Sequence, residues 1–377
     1  MQERSRNKLE FIQALRGFAA ISVVICHLRD LFRGTPFESS AMHWMLPGAY
    51  GVDLFFIISG FIITLTSYNY KKEDGKKFIL KRIIRIWPPY VFWTLAYVVL
   101  INWGNPAEIN IDNVIKSLAF IPLNFDSVIY FGAAALPQGW TLNYEAYFYL
   151  VFAICFFFGR FKHLAVFLWF ALTLIALPRF LNLTDPKPVI VGFGYINLMM
   201  QRMMFEFVFG VICALIYKKR VMQIRSRTMF NLLIFFAFIT PFTAYVLNIH
   251  TIDHGPTNFG MFYMISFLLL IFCADYIEEN INLPKGLVKA RNMSFSIYLC
   301  HIFVMTIAML LINVAGYEGL EKALSIIALF IPLLMITSFL SYTFLEKKLH
   351  DALHRKLIDD VKPYTPIDAT VQSDVGN

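Results

Sequence analysis

Apolar stretches of roughly 18 to 22 residues recur from one end of this chain to the other, separated by short polar segments. Each is long enough to cross about 30 Å of hydrocarbon as a helix. Run length predicts about ten spans, near 9–29, 49–69, 88–103, 139–158, 162–181, 198–217, 229–248, 258–277, 293–314 and 322–345. The third begins at Pro88-Pro89, which suits a helix start because the first turn needs no backbone donors. The expected fold is an all-α membrane protein.

Lysine and arginine give the expected orientation. With the N-terminus inside, the inner segments carry Arg4, Arg6 and Lys8, then Lys71 to Arg85, then Arg160 and Lys162. Further inner clusters lie at 218–227, 285–291 and 347–362, while the outer loops hold Arg33, Lys116, Lys187 and Lys322. That imbalance places both termini in the cytoplasm. The longest outer loop, 104–138, contains Leu118-Ala119-Phe120-Ile121, too short to span and suited to a re-entrant or interfacial piece. The transmembrane domain is expected to occupy 1–360, with a polar, disordered cytoplasmic tail at 361–377. The first apolar stretch contains Arg16 and is too long for a signal-peptide core, so it is read as a retained helix.

Composition agrees with the pattern. The chain of 377 residues is 58% hydrophobic and only 15% charged, against roughly 25% charged in a soluble domain. A soluble protein could not hide that much apolar surface. The net charge of +8 sits in the loops and reports topology, with no nucleic-acid partner implied. Cys26, Cys155, Cys213, Cys273 and Cys300 lie in apolar stretches without metal-ligand spacing, so neither disulfides nor a metal site is expected.

Ionisable residues inside the spans are the candidate chemistry, since each costs about 3 kcal/mol or more at mid-bilayer. Arg16 and His27 are eleven residues apart, which returns a helix nearly to the same direction, roughly 16 Å along the axis. A snorkelling arginine with an interfacial histidine is the competing reading. Asp53 lies near the outer end of the second span and suits orienting a histidine, while Ser59-Gly60 suits close helix approach. Arg82 and Arg85 share one helix face, and their forked guanidiniums match phosphate groups. Glu145 has no cation within a helical turn, and an unpaired buried carboxylate hints at function. Arg202 and Glu206 form an i,i+4 pair that invites mutual neutralisation, and His301 is a second intramembrane histidine. Phosphate-binding loops, zinc helices and dinucleotide fingerprints are absent. On residues alone, a proton-coupled transporter and an enzyme both fit.

Five motifs in order change that balance: Arg16-x10-His27, Gly51–Phe61, Arg82-x-x-Arg85, Trp140-Thr141-Leu142-x-x-Glu145 and Ser294–His301. Together, over roughly residues 9 to 345, they closely resemble the acyltransferase-3 family of membrane O-acyltransferases, of the stand-alone type. The resemblance implies transfer of an acetyl group from acetyl-CoA, as co-substrate, to a carbohydrate hydroxyl of an exopolysaccharide, O-antigen or lipid-linked glycan. It also implies a bacterial inner-membrane setting. By the same carry-over His27 is the catalytic histidine and Arg16 its partner. Arg82 and Arg85 meet the CoA phosphates, Arg202 is grouped with them, and Glu145 is the acid of the Trp-Thr-Leu motif. The mechanism then expected has His27 as general base, oriented by Glu145 or Asp53, with Asn143 or Tyr144 as oxyanion donors. An acyl-histidine intermediate is the competing version.

Overall fold

A computed structural model describes residues 9–124, 132–182, 194–222, 224, 226–247, 254–256, 259–281 and 285–358, with backbone alone at 259 and 285–291. Arg4, Arg6, Lys8, Lys187, Arg225, Lys362 and the tail expected from 361 lie outside the described residues. Among the described residues every element is helical and no strand occurs.

Helix α1, Glu10–Leu28, runs unbroken through both Arg16 and His27. A connection containing the short helix Glu38–Met45 leads to α2, Gly51–Thr66. Helix α3 is Gly75–Ile101, with Pro88 and Pro89 inside it. The expected start at Pro88 is therefore corrected. The helix begins at Gly75, and the two missing N–H groups fall mid-helix, where each costs a backbone hydrogen bond. Arg82 and Arg85 thus lie within a continuous helix, not in a loop before it. Lys162 secures the turn leading into α3. Its ammonium is buried and donates to the carbonyls of Ser67, Tyr68 and Tyr70 at 2.9, 2.7 and 2.7 Å. Carbonyls at a helix C-terminus lack intrahelical donors, so a cation suits them.

After α3 the chain folds back along it. Trp87 Nε1 donates to Leu118 O at 3.0 Å, and Phe120 stacks on Tyr90 at 5.3 Å. Trp87 lies fourteen residues before the end of α3, about 21 Å along the helix. The segment at 118–121 therefore reaches well down the side of α3.

The stretch Pro137–Phe180 holds two of the expected spans. It breaks at Gly159, whose φ of 54° is in the left-handed region open to glycine. On either side are α4, Trp140–Cys155, and α5, Lys162–Ala171. The span expected at 198–217 is α6, Met204–Lys218, only 15 residues long. Helices α7, Arg227–Val246, and α8, Phe259–Phe272, follow, and α8 is bent by 59° from the short helix behind it. Helix α9 is Lys285–Val314. Helix α10, Gly319–Ser341, continues through a π-helical stretch, Tyr342–Leu349, into His350–Leu357. By length and apolarity, seven helical stretches, or eight counting the bent pair, can cross a membrane among the described residues. The difference from ten arises where α4 and α5 adjoin and where α6 is short.

Glycine brings α2 and α6 into backbone contact, as expected for Ser59-Gly60. A Cβ at Gly60 would sit 2.1 Å from Phe207 O, and one at Gly210 would sit 2.1 Å from Ile57 O. Small residues at such crossings supply the packing that holds membrane helices together. Around the contact Phe56 and Phe148 both stack on Phe207, at 4.6 and 4.5 Å. Gly60→Ala is expected to destabilise the protein by about 1–3 kcal/mol through overpacking. Thermal unfolding in detergent measures this, and an unchanged midpoint would show that the helices can part without cost.

Candidate active site

One cavity opens among α1, α2, α3, α4 and α9, and the lining includes Arg16, Ser59, Arg82, Arg85, Glu145 and Tyr298. Arg82 and Arg85 are brought to it by their i,i+3 spacing on α3. Arg82 is held in place by Thr66, to whose Oγ1 it donates at 3.2 Å, and by the rings of Phe78 and Tyr149 at 5.4 and 5.8 Å. Arg16 donates to Gln13 Oε1 at 3.4 Å. Glu145 accepts from Ser59 Oγ at 2.9 Å and from the hydroxyl of Tyr149. The carboxylate that seemed solitary in sequence therefore has two hydroxyl donors. It also lies close enough to Arg82 to act on it electrostatically. Three guanidiniums and one carboxylate line the cavity, and with Glu346 behind them the arginines still outnumber the acids, which suits a polyanion with forked oxygen groups.

Tyr298 is part of the cavity wall. Its hydroxyl donates to Gln138 O at 3.0 Å and shares a hydrogen bond with Thr141 Oγ1 at 2.7 Å. Gln138 in turn donates to Leu299 O at 2.6 Å, tying the start of α4 to α9. Beyond Tyr298 are His301, 5.8 Å away ring to ring, and His27, 5.0 Å from His301. His27 is half-buried, and its Nδ1 lies 2.9 Å from Val23 O. A carbonyl oxygen accepts only, so Nδ1 carries the hydrogen and Nε2 presents a bare lone pair. The histidine is at the end of α1 yet beside the middle of α9. Val314, where α9 ends, is thirteen residues past His301, roughly 20 Å further along.

Asp53 is placed elsewhere. Gly51 packs against Ala19 on α1, with a Cβ there falling 2.4 Å from Ala19 O. Two residues on, a helix has turned by about 200°, so Asp53 faces away from α1. It is fully buried and accepts from His254 Nδ1 at 2.6 Å and from Gly255 N at 3.0 Å. Asp53 does meet a histidine, but that histidine is His254, not His27. Glu145 likewise makes its hydrogen bonds in the arginine cavity. The hydrogen-bond partner of His27 is a backbone carbonyl. Arg202 does not line the cavity; its Cβ is 3.2 Å from a Cβ built on Gly255, on the Asp53 side of the molecule. No Arg202–Glu206 ion pair forms among the described residues, and fully buried Glu206 instead neighbours Asp53, with a Cβ at Gly260 lying 3.0 Å from both carboxylates. Asn143 commits its amide to Gly132 O at 3.1 Å, and the Tyr144 hydroxyl is buried without a hydrogen-bond partner beside Phe56 and Trp140.

Sequence reasoning passed over Tyr149, Tyr298 and Glu346. Tyr149 was legible as the i+4 neighbour of Glu145. Glu346 sits in the π-helical stretch, buried, taking a hydrogen bond from Ser296 Oγ, and close enough to Arg85 and Arg16 to act as their counter-charge. Trp93 Nε1 donates to Ser341 Oγ at 3.0 Å, and Ser341 Oγ lies 2.8 Å from Ser296 Oγ, which accepts from it because its own hydrogen is on Glu346; these bonds join α3, α9 and α10. Among the described residues no group of three His, Cys, Asp or Glu is placed to hold a metal ion.

An all-helical, multi-pass membrane protein with an arginine-lined cavity, one wall residue of which, Tyr298, neighbours a pair of imidazoles, is the class these observations define. Residues 9–345 match the family description "Acyltransferase domain", and the chain belongs to the acyltransferase-3 family. Exopolysaccharide production protein ExoZ of Rhizobium meliloti is 35% identical over 164 residues, 41% of this chain and 51% of ExoZ. O-acetyltransferase OatA of Staphylococcus aureus is 30% identical over 165 residues, 40% of this chain and 25% of OatA. The putative peptidoglycan O-acetyltransferase YrhL of Bacillus subtilis is 30% identical over 154 residues, 37% of this chain and 22% of YrhL. The alignments thus span about half the length of ExoZ and a quarter or less of the other two. No solved structure matches the chain.

Proposed function

We propose that this protein is a membrane O-acetyltransferase that moves an acetyl group from cytosolic acetyl-CoA to a hydroxyl of an exported or surface carbohydrate. The observation that carries this reading is one cavity lined by three arginines whose wall residue Tyr298 is 5.8 Å from His301, itself 5.0 Å from His27 with its bare Nε2. Family membership favours it over a transporter of a small solute.

Arg82 and Arg85 hold the CoA phosphates at the cytoplasmic face, with Arg16 further along the path. The thin pantetheine arm extends past Tyr298 toward His27. The sugar reaches His27 beside α9 from the opposite side. His27 Nε2 takes the hydroxyl proton as the oxygen attacks the thioester carbonyl, a role worth about 10² to 10⁴-fold. The acyl carbon–sulfur bond then breaks, and the proton passes from His27 to the departing sulfur. Glu145 keeps the arginine cavity in shape rather than orienting His27. Asp53 and Arg202 act away from the reacting atoms.

In this reading both termini are cytoplasmic and the protein sits in a bacterial inner membrane. The relatives' printed names favour an exopolysaccharide, or another cell-envelope glycan, as acceptor. Mass spectrometry of surface glycans tests the reading in cells. A mass increment of one acetyl group is expected with the wild-type gene and none with its deletion. Identical glycans in both strains would reject it.

A further inference from the structure

Asp53 on α2 and Glu206 on α6 are both fully buried, and neither lines the arginine cavity. Asp53 is well supplied with donors: His254 Nδ1 at 2.6 Å on one oxygen and Gly255 N at 3.0 Å on the other. Glu206 has none. Both of its carboxyl oxygens are buried without a hydrogen-bond partner, and such orphans call for an explanation. Among the described residues the one ion-pair partner of either acid is His254, beside Asp53. Glu206 Oε1 and Asp53 Oδ1 each lie 3.0 Å from the place a Cβ on Gly260 would take, so both face one point. The two carboxyl groups are within hydrogen-bonding reach of each other.

An ionised carboxylate taken out of water with neither donor nor cation is among the costliest groups a fold can hold. A second carboxylate beside it adds like-charge repulsion, and two acids that share a site commonly hold one proton between them. Even a protonated His254 would balance only one of the two negative charges. We propose that Asp53 and Glu206 form a proton-binding site, with the proton on Glu206 and its O–H donated to Asp53. Two N–H bonds favour the charged form of Asp53, so the proton belongs to Glu206. A carboxylate offers about four lone-pair sites, which leaves Asp53 room for this third donor. The orphan atoms are then explained: a deprotonated Glu206 has nothing to bond, whereas a protonated one is a donor beside an acceptor. The proton ties α6 to α2 and, through Asp53, to His254 and Gly255. The His254 ring lies 5.7 Å from that of Trp140, the first residue of α4. Thr141, next to it, shares a hydrogen bond with the Tyr298 hydroxyl in the cavity wall. The inference is independent of which ligand the cavity takes.

Infrared spectroscopy of the purified full-length protein at neutral pH reads the proton directly, because the C=O stretch of a carboxylic acid is separate from carboxylate and amide bands. Wild type is expected to show the acid band, and Glu206→Gln to lose intensity in it. The glutamine amide can donate to Asp53 in place of the O–H, so the thermal midpoint of Glu206→Gln is expected within about 2 °C of wild type. Asp53→Asn is expected to keep the band at a shifted frequency, since the acid stays on Glu206 and its acceptor changes. No acid band in wild type, or an equal band in wild type and Glu206→Gln, overturns the proposal. A wild-type midpoint that rises with added sodium, potassium or magnesium, with the rise abolished in Glu206→Gln, also overturns it by putting a metal cation in the proton's place. If Glu206→Gln does not fold, Asp53→Asn decides: an unshifted band overturns the proposal.

Discussion

Replacing His27 with alanine is expected to bring acetyl transfer down by about 10² to 10⁴-fold, the worth of a positioned general base, while the protein still inserts and binds acetyl-CoA. The side chain faces His301 at the end of α1, and its one hydrogen-bond partner is a backbone carbonyl of its own helix. Its removal therefore breaks no tie between helices. The α1 residue that lines the cavity is Arg16, eleven positions before His27. Calorimetric titration with acetyl-CoA and single-turnover transfer, run on one preparation, separate binding from chemistry. Wild-type transfer in His27→Ala would end the role given to this histidine, whether as base or as acyl carrier.

The second large effect is expected at the other end of the cavity. Arg82→Ala combined with Arg85→Ala should weaken acetyl-CoA binding by two or more orders of magnitude, since each charge-assisted contact to phosphate is worth about 1.5–3 kcal/mol. The loss should be confined to donors that carry phosphates. S-acetyl-pantetheine, which has the thioester arm without the nucleotide, should bind the wild type and the double variant alike. Arg82 also bonds Thr66 and packs on Phe78 and Tyr149, so a folding defect would weaken both ligands. Equal affinity of the double variant for acetyl-CoA would dismiss the phosphate role.

How much of this was legible in sequence depends on the range of the interaction concerned. Apolar run length located the helices, because crossing a bilayer sets a length that one segment must satisfy alone. The same logic misplaced the start of α3. Pro88-Pro89 satisfies the local rule for a helix start, and nothing within the segment reveals that packing carries the helix on through both prolines. Arg16, Arg82, Arg85 and Glu145 were read from cost and spacing, and three helices, α1, α3 and α4, bring them to one cavity. Their partners were not legible. Ser59 and Glu145 are 86 positions apart, and Asp53 and His254 are 201 apart, distances over which periodicity carries no information. Asp53 was expected to meet a histidine and does, but choosing between His27 and His254 requires knowing which face of α2 packs on α1. Arg202 and Glu206 show the limit of an i,i+4 rule. Helix spacing permits the pair, whereas burial beside Asp53 and Gly255 draws the two side chains into another neighbourhood. Glu346 lay just past the last apolar run, in a π-helical stretch that hydropathy does not register.

The central claim is that the cavity delivers a thioester to a sugar hydroxyl rather than conducting a solute. Purified protein incubated with acetyl-CoA labelled in the acetyl group and with isolated envelope glycan tests it most directly. The account predicts label in the glycan, one free CoA thiol released per acetyl transferred, and neither in the presence of His27→Ala protein. Intact labelled acetyl-CoA after incubation with active, folded wild-type protein and its native glycan would contradict it.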